Sequence, residues 1–193
     1  LFHALKIHKH QWFKVRFVFM DASNIFNKNN REDCPKAIFL DRDGVINHDP
    51  GDYTKNIDEF TILPTFLESL KILKERGFVF IVITNQGGIA KGIYGHKEVE
   101  EIHKYLRSVC KENGTPILEI YYSPHHEETG LSLSRKPGSM MIERACARYG
   151  INPKKSWMVG DKQRDLDCAA IVGVPGILIN PNDDLIYYVD RMI

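Results

Sequence analysis

A short apolar run, Ile38-Phe39-Leu40, ends abruptly in Asp41-Arg42-Asp43-Gly44-Val45-Ile46-Asn47. Such a run reads as a strand buried on both faces, so the chain must supply a covering layer on each side. The aspartates then lie at the carboxyl end of that strand, where open α/β sheets place their ligand sites. Residues i and i+2 of an extended segment point the same way, so Asp41 and Asp43 can face one reacting atom. One carboxylate can attack while the other moves protons, the division of labour that phosphoryl transfer through an aspartyl-phosphate requires. A loop start or a helix cap is the competing reading of the pair. A calcium loop of the EF-hand type is excluded, because Gly44 stands fourth from Asp41 where that loop needs glycine sixth.

From Pro35 onward two kinds of segment alternate. Buried strands are expected at 36–40, 78–84, 117–122, 156–160 and 176–179. Pro64 opens a helix with Phe66, Leu67, Leu70 and Leu73 on one face and Gly77 past its end. Residues 97–112 place Val99, Ile102, Leu106 and Val109 at helical spacing. Helices are also expected at 139–149, stopped by Gly150, and at 163–172. This alternation predicts an α/β fold, a Rossmann-like three-layer sandwich with a mainly parallel sheet. The expected organisation is an N-terminal extension over 1–34 and one domain over 35–193. Residues 48–63 are too few for a large cap domain. They form a flap, with Gly51 and Tyr53 as candidates to face a substrate; a packed loop aromatic is the alternative for Tyr53.

The formal net charge of +1 leaves no footprint for nucleic acid or for an anionic membrane. The imbalance is local: residues 1–20 carry Lys6, Lys9, Lys14 and Arg16 and no acid. Segment 1–34 shows no chemistry; an added strand or helix, a partner-binding arm and translation upstream of the true start all stay open for it. No apolar run approaches the roughly 18 residues of a membrane span. Cys34, Cys110, Cys146 and Cys168 form no CxxC pair and read as reduced thiols, so a cytoplasmic location is expected.

Each strand ends in its own polar signature: Asp41-Arg42-Asp43, Thr84-Asn85-Gln86-Gly87-Gly88, a loop with Arg135-Lys136-Pro137, and Gly160-Asp161-Lys162. A parallel sheet gathers these on one edge. In this order they resemble the four motifs of the haloacid-dehalogenase superfamily of phosphatases, with Asp41 and Asp43 in the first, Thr84 in the second, Lys136 in the third and Asp161 in the fourth. Gly88-Ile89-Ala90-Lys91-Gly92 and Tyr121-Tyr122-Ser123-Pro124-His125-His126 add a likeness to the branch acting on heptose 1,7-bisphosphate, with the histidinol-phosphate phosphatases next. The resemblance implies a small phosphorylated sugar as substrate, with the C7 phosphate of the heptose bisphosphate released. It implies Asp41 as nucleophile, Asp43 as acid and base, and Mg2+ held by Asp41, the Asp43 backbone carbonyl and Asp161. Lys136 would neutralise the transferring group, while Thr84 and Asn85 would hold phosphoryl oxygens. Gln86, Arg135 and Lys162 complete the substrate-binding candidates. Asp165 is open between a role beside the metal and none, and Asp167 reads as a solvated helix face. A non-catalytic binding or scaffold protein on the same fold is the reading from another class.

One departure stands out. The related enzymes staple the loop after the third strand with zinc, and the matching positions here are Ser123, His125, Ser132 and Ser134. Serine is a poor zinc ligand beside thiolate, so no structural zinc is expected. Sequence leaves the oligomeric state undetermined.

Overall fold

The computed structural model describes residues 34–193. All but the last residue of the extension expected over 1–34 lies outside the described residues.

Five strands form one parallel sheet: β1 (Lys36–Leu40), β2 (Phe78–Asn85), β3 (Ile117–Ser123), β4 (Trp157–Gly160) and β5 (Gly176–Leu178). Their spatial order is β3-β2-β1-β4-β5, and every pairing is parallel. The chain fills one side of β1 first, then crosses to the other side at β4. The boundary between β1 and β4 is therefore the topological switch point, where the two following loops part and leave a crevice.

Strand alternation sorts the core into two apolar layers. Ile38, Leu40, Phe80 and Val82 point to one face, and Ala37, Phe39, Ile81 and Ile83 to the other. On the first face pack α1 (Phe66–Glu75), α2 (His96–Glu112) and a C-terminal 3-10 helix (Leu185–Arg191). On the second pack α3 (Met140–Tyr149) and α4 (Gln163–Val172). The three-layer sandwich read from the sequence is thus the architecture found. Residues 48–63 form a flap whose regular structure is one short 3-10 turn at Ile57–Glu59.

Two helices differ from expectation in detail. The α1 helix starts at Phe66, after a turn at Pro64 and Thr65, and the Thr65 hydroxyl goes to Asp184 (3.0 Å) in place of capping α1. The buried stripe of α2 is Val99, Ile102, His103, Leu106 and Cys110, with Val109 only half-buried. His103 and Cys110 share the face because helical neighbours recur at both i+3 and i+4.

Candidate active site

Asp41 ends β1 and Asp161 ends β4, so the register of these two strands sets them side by side at the switch point. Asp165, in the first turn of α4, joins them. The three offer ligand oxygens that all lie within 4.8 Å of one another. Two glycines make this crowding possible. A Cβ on Gly44 would lie 2.9 Å from Asp161 Oδ2, and one on Gly160 would collide with the Asp165 side chain. Lys136, at 1% exposure, reaches the cluster from the loop before α3. Its ammonium lies 2.8 Å from Asp41 Oδ1, 2.7 Å from Asp165 Oδ1 and 2.8 Å from the Ile83 carbonyl.

Three carboxylates facing one buried ammonium leave a surplus of negative charge. Burial pushes the Asp41 carboxyl above its ordinary range, with Lys136 opposing and Asp165 and Asp161 reinforcing. Burial also raises Asp161 against the pull of Lys162. Lys136 is raised as well: burial works against its charge, but Asp41 and Asp165 outweigh it. Both carboxylate oxygens of Asp161 are buried without a hydrogen bond. An uncompensated cluster of hard oxygen donors suits Mg2+, which takes carboxylates and keeps several waters. Asp41 and Asp161 therefore fit the metal-holding role read from the sequence, and Asp165 supports them through Lys136.

Asp43 sits in the opposite environment. Its Oδ1 accepts from Arg42 Nε (3.2 Å) and Nη2 (2.8 Å), Asn47 Nδ2 (3.0 Å) and Thr54 Oγ1 (3.2 Å). Its Oδ2 accepts from Arg42 Nη2 (2.9 Å) and Gln86 Nε2 (3.0 Å). Burial alone would raise this carboxyl, but Arg42, Asn47 and Gln86 hold it below its usual value. The Asp43 carboxylate is absent from the three-carboxylate cluster, consistent with a metal contact assigned to its backbone carbonyl.

The second-motif residues are more occupied than the sequence suggests. Thr84 is buried, and its hydroxyl accepts from Gln86 Nε2 at 2.9 Å. Gln86 is buried too; it bridges Asp43 and Thr84 and receives the Tyr94 hydroxyl at 2.9 Å. Asn85 clamps the Lys136 backbone from both sides, accepting its N–H (2.9 Å) and donating to its carbonyl (3.1 Å). These side chains thus position Asp43 and Lys136, work that residue type and motif order do not reveal.

The mouth carries the remaining candidates. Lys162 Nζ stands 3.3 Å from both Asp161 Oδ2 and Asp49 Oδ2. Arg135 donates to the His125 carbonyl at 3.0 Å. On the flap, Gly51 is exposed, and half-buried Tyr53 packs edge-on to Tyr94 at 5.8 Å. Asp167 is on an exposed face of α4, bonded to Gln163. At the four positions matched to the zinc staple, Ser123 and Ser132 each lie within 3.0 Å of the Ser134 hydroxyl, and His125 is exposed. The hydroxyls thus join the strand end to the loop that presents Arg135 and Lys136.

A family model described as HAD-hydrolase-like matches residues 133–182. The D-glycero-alpha-D-manno-heptose-1,7-bisphosphate 7-phosphatase of Photorhabdus laumondii is 38% identical over 146 residues, covering 72% of this chain and 79% of the relative. The D-glycero-beta-D-manno-heptose-1,7-bisphosphate 7-phosphatase of Pseudomonas aeruginosa is 37% identical over 142 residues, covering 74% and 79%. Among solved structures, D,D-heptose 1,7-bisphosphate phosphatase from B. bronchiseptica, complexed with magnesium and phosphate, superposes with a TM-score of 0.71 at 29% identity. That match covers 81% of this chain and 86% of the other.

Proposed function

The chain belongs to the haloacid-dehalogenase-like phosphatases, and from that premise we propose that it is a Mg2+-dependent sugar-phosphate phosphatase that releases the C7 phosphate of D-glycero-D-manno-heptose 1,7-bisphosphate. The observation that carries this reading is the buried cluster of Asp41, Asp161 and Asp165 around the Lys136 ammonium at the sheet's switch point, with Asp43 two residues on from Asp41. Relatives that act on this substrate over most of the same length support it.

In this mechanism an Asp41 carboxylate oxygen attacks phosphorus, and the bond from phosphorus to the sugar oxygen breaks. Asp43 gives that oxygen its proton. Its donor nest favours the carboxylate, and the arrival of an anionic phosphate beside it raises its affinity for a proton. Asp43, now anionic, then takes a proton from water as that water attacks the phosphorus of the Asp41 aspartyl-phosphate; the bond from phosphorus to the Asp41 oxygen breaks, and phosphate leaves with the Asp41 carboxylate and the Asp43 proton restored. Lys136 stays against Asp41 and offsets charge on the transferring group. Thr84 and the second-motif backbone receive the phosphoryl oxygens. Asp41, Asp161 and the Asp43 carbonyl would hold Mg2+, which supplies charge neutralisation between the anionic nucleophile and the anionic phosphate. Lys162 and Arg135 stand at the mouth for the end of the substrate that is not hydrolysed.

The test is initial-rate phosphate release with Mg2+ on both anomers of heptose 1,7-bisphosphate and on histidinol phosphate. Preference for the bisphosphate is expected. Preference for histidinol phosphate would reassign the substrate while keeping the catalytic set, and activity on neither would favour the scaffold reading.

A further inference from the structure

Asn182, in the turn after β5, is the described non-glycine residue with positive φ, at 68°. Asparagine tolerates this left-handed conformation better than most residues, yet a residue held there signals local constraint. All the polar groups that Asn182 presents to the site are used. Its backbone N–H donates to the Gly44 carbonyl at 2.9 Å, in the loop that carries Asp43. Its side chain closes on the flap: Oδ1 accepts the Asp49 N–H at 2.6 Å and Nδ2 donates to the Asp49 carbonyl at 3.1 Å. One amide thus fixes both backbone groups of one flap residue.

The Asp49 carboxylate is fixed in turn. Oδ1 accepts the Gly51 N–H at 2.9 Å, and Oδ2 lies 3.3 Å from Lys162 Nζ. Asp161 draws the same ammonium from the other side, also at 3.3 Å. A lysine stem is otherwise free to sample many rotamers, and restraining it before binding reduces what must be ordered when a ligand arrives.

We propose that Asn182 is a positioning residue: through the Asp49 backbone it holds the flap to the catalytic loop, and through the Asp49 carboxylate it stations Lys162 at the mouth for the unhydrolysed end of the substrate. The kinetic part of this inference rests on the substrate reading given above; the structural part does not.

Asn182→Gly is the informative variant, because glycine keeps the positive φ and the backbone N–H but loses both side-chain bonds. Asn182→Asp keeps the acceptor alone. Asp49→Asn keeps the clamp and weakens the hold on Lys162. Backbone hydrogen exchange over 46–55, thermal midpoint, and KM and kcat on heptose 1,7-bisphosphate with Mg2+ are measured for each. In Asn182→Gly, flap exchange rises about tenfold and KM about tenfold, with kcat within about twofold. Asn182→Asp falls between it and the wild type. Asp49→Asn raises KM without faster flap exchange. Unchanged exchange or unchanged KM in Asn182→Gly overturns the proposal, as does a parallel loss of kcat and thermal midpoint. A wild-type enzyme that ignores the bisphosphate overturns the substrate reading instead; KM is then read on whichever phosphomonoester it hydrolyses, and the exchange arm decides the clamp independently.

Discussion

Asp41 and Asp43 are the same side chain two positions apart, and the molecule treats them in opposite ways. Asp41 belongs to a region short of positive charge, where burial and neighbouring carboxylates raise it against the pull of Lys136. Asp43 belongs to a region rich in donors, where four side chains converge on one carboxylate and hold it down. The first region gains most from a cation; the second is complete without one. Two environments that push like groups apart are how one fold assigns different chemical parts to identical residues.

The largest way to break the contrast is Asp41→Asn, which removes the proposed nucleophile. Turnover should fall by about a thousandfold or more with the circular-dichroism spectrum unchanged. Appreciable phosphate release by this variant would rule out the covalent route. Next comes Lys136→Met, which strips the poor region of its buried ammonium and leaves Asp41 and Asp165 facing each other in a buried site. A loss of about 3–5 kcal/mol by urea denaturation is expected. Asp161→Asn sharpens the contrast from the other direction. In chelator it should stabilise the protein by about 1 kcal/mol, because it removes one of three crowded buried carboxylates and leaves only the half-exposed Lys162 contact to lose. It should also abolish the Mg2+-induced gain of the wild type, about 2.7 kcal/mol at a hundredfold excess over Kd.

The donor-rich region reaches further than Asp43. Burial, and after it the Arg42 charge, push His103 down to about 3. The unfolded chain titrates near pH 6.5, so between the two values the unfolded state binds the extra proton and stability falls as pH falls. The expected loss from this residue between pH 7 and pH 5 is about 2 kcal/mol. Thermal unfolding of His103→Gln across that range should show a correspondingly flatter curve. The smallest effect expected is that of Gln86→Leu, which removes one donor from Asp43 and one from Thr84: about a tenfold loss in kcat. An unchanged kcat would make the Gln86 bridge mere packing.

Much of this arrangement was legible in the chain. Apolar runs ending in polar signatures located all five strands to within a residue or so, and a parallel sheet then had to bring Asp41, Asp43, Thr84, Lys136 and Asp161 to one edge. Four kinds of residue escaped. The sequence leaves Asp165 open between a role beside the metal and none, and its approach to Asp41, Asp161 and Lys136, packed close over Gly160, decides its part. Asn85 and Gln86 look like ligands for substrate because a motif records which residues are present, not which neighbour takes up each amide. Asn182 lies outside every motif, and its conformation is invisible until the backbone is traced. His103 reached the core in a place where periodicity offered Val109, since the stripe of a helix is wide enough for either spacing.

The pairing of β1 with β4 carries a consequence for assembly. Asp41 donates its N–H to the Val159 carbonyl at 2.9 Å, a contact between segments more than a hundred residues apart along the chain. A ribosome that has released everything up to α3 has made Asp41, Asp43 and Lys136, but not the strand that brings Asp161 and Asp165. Closing so long a loop comes late and slowly. No half-built chain therefore owns a complete site, and hydrolysis begins only when the last strands have joined the sheet.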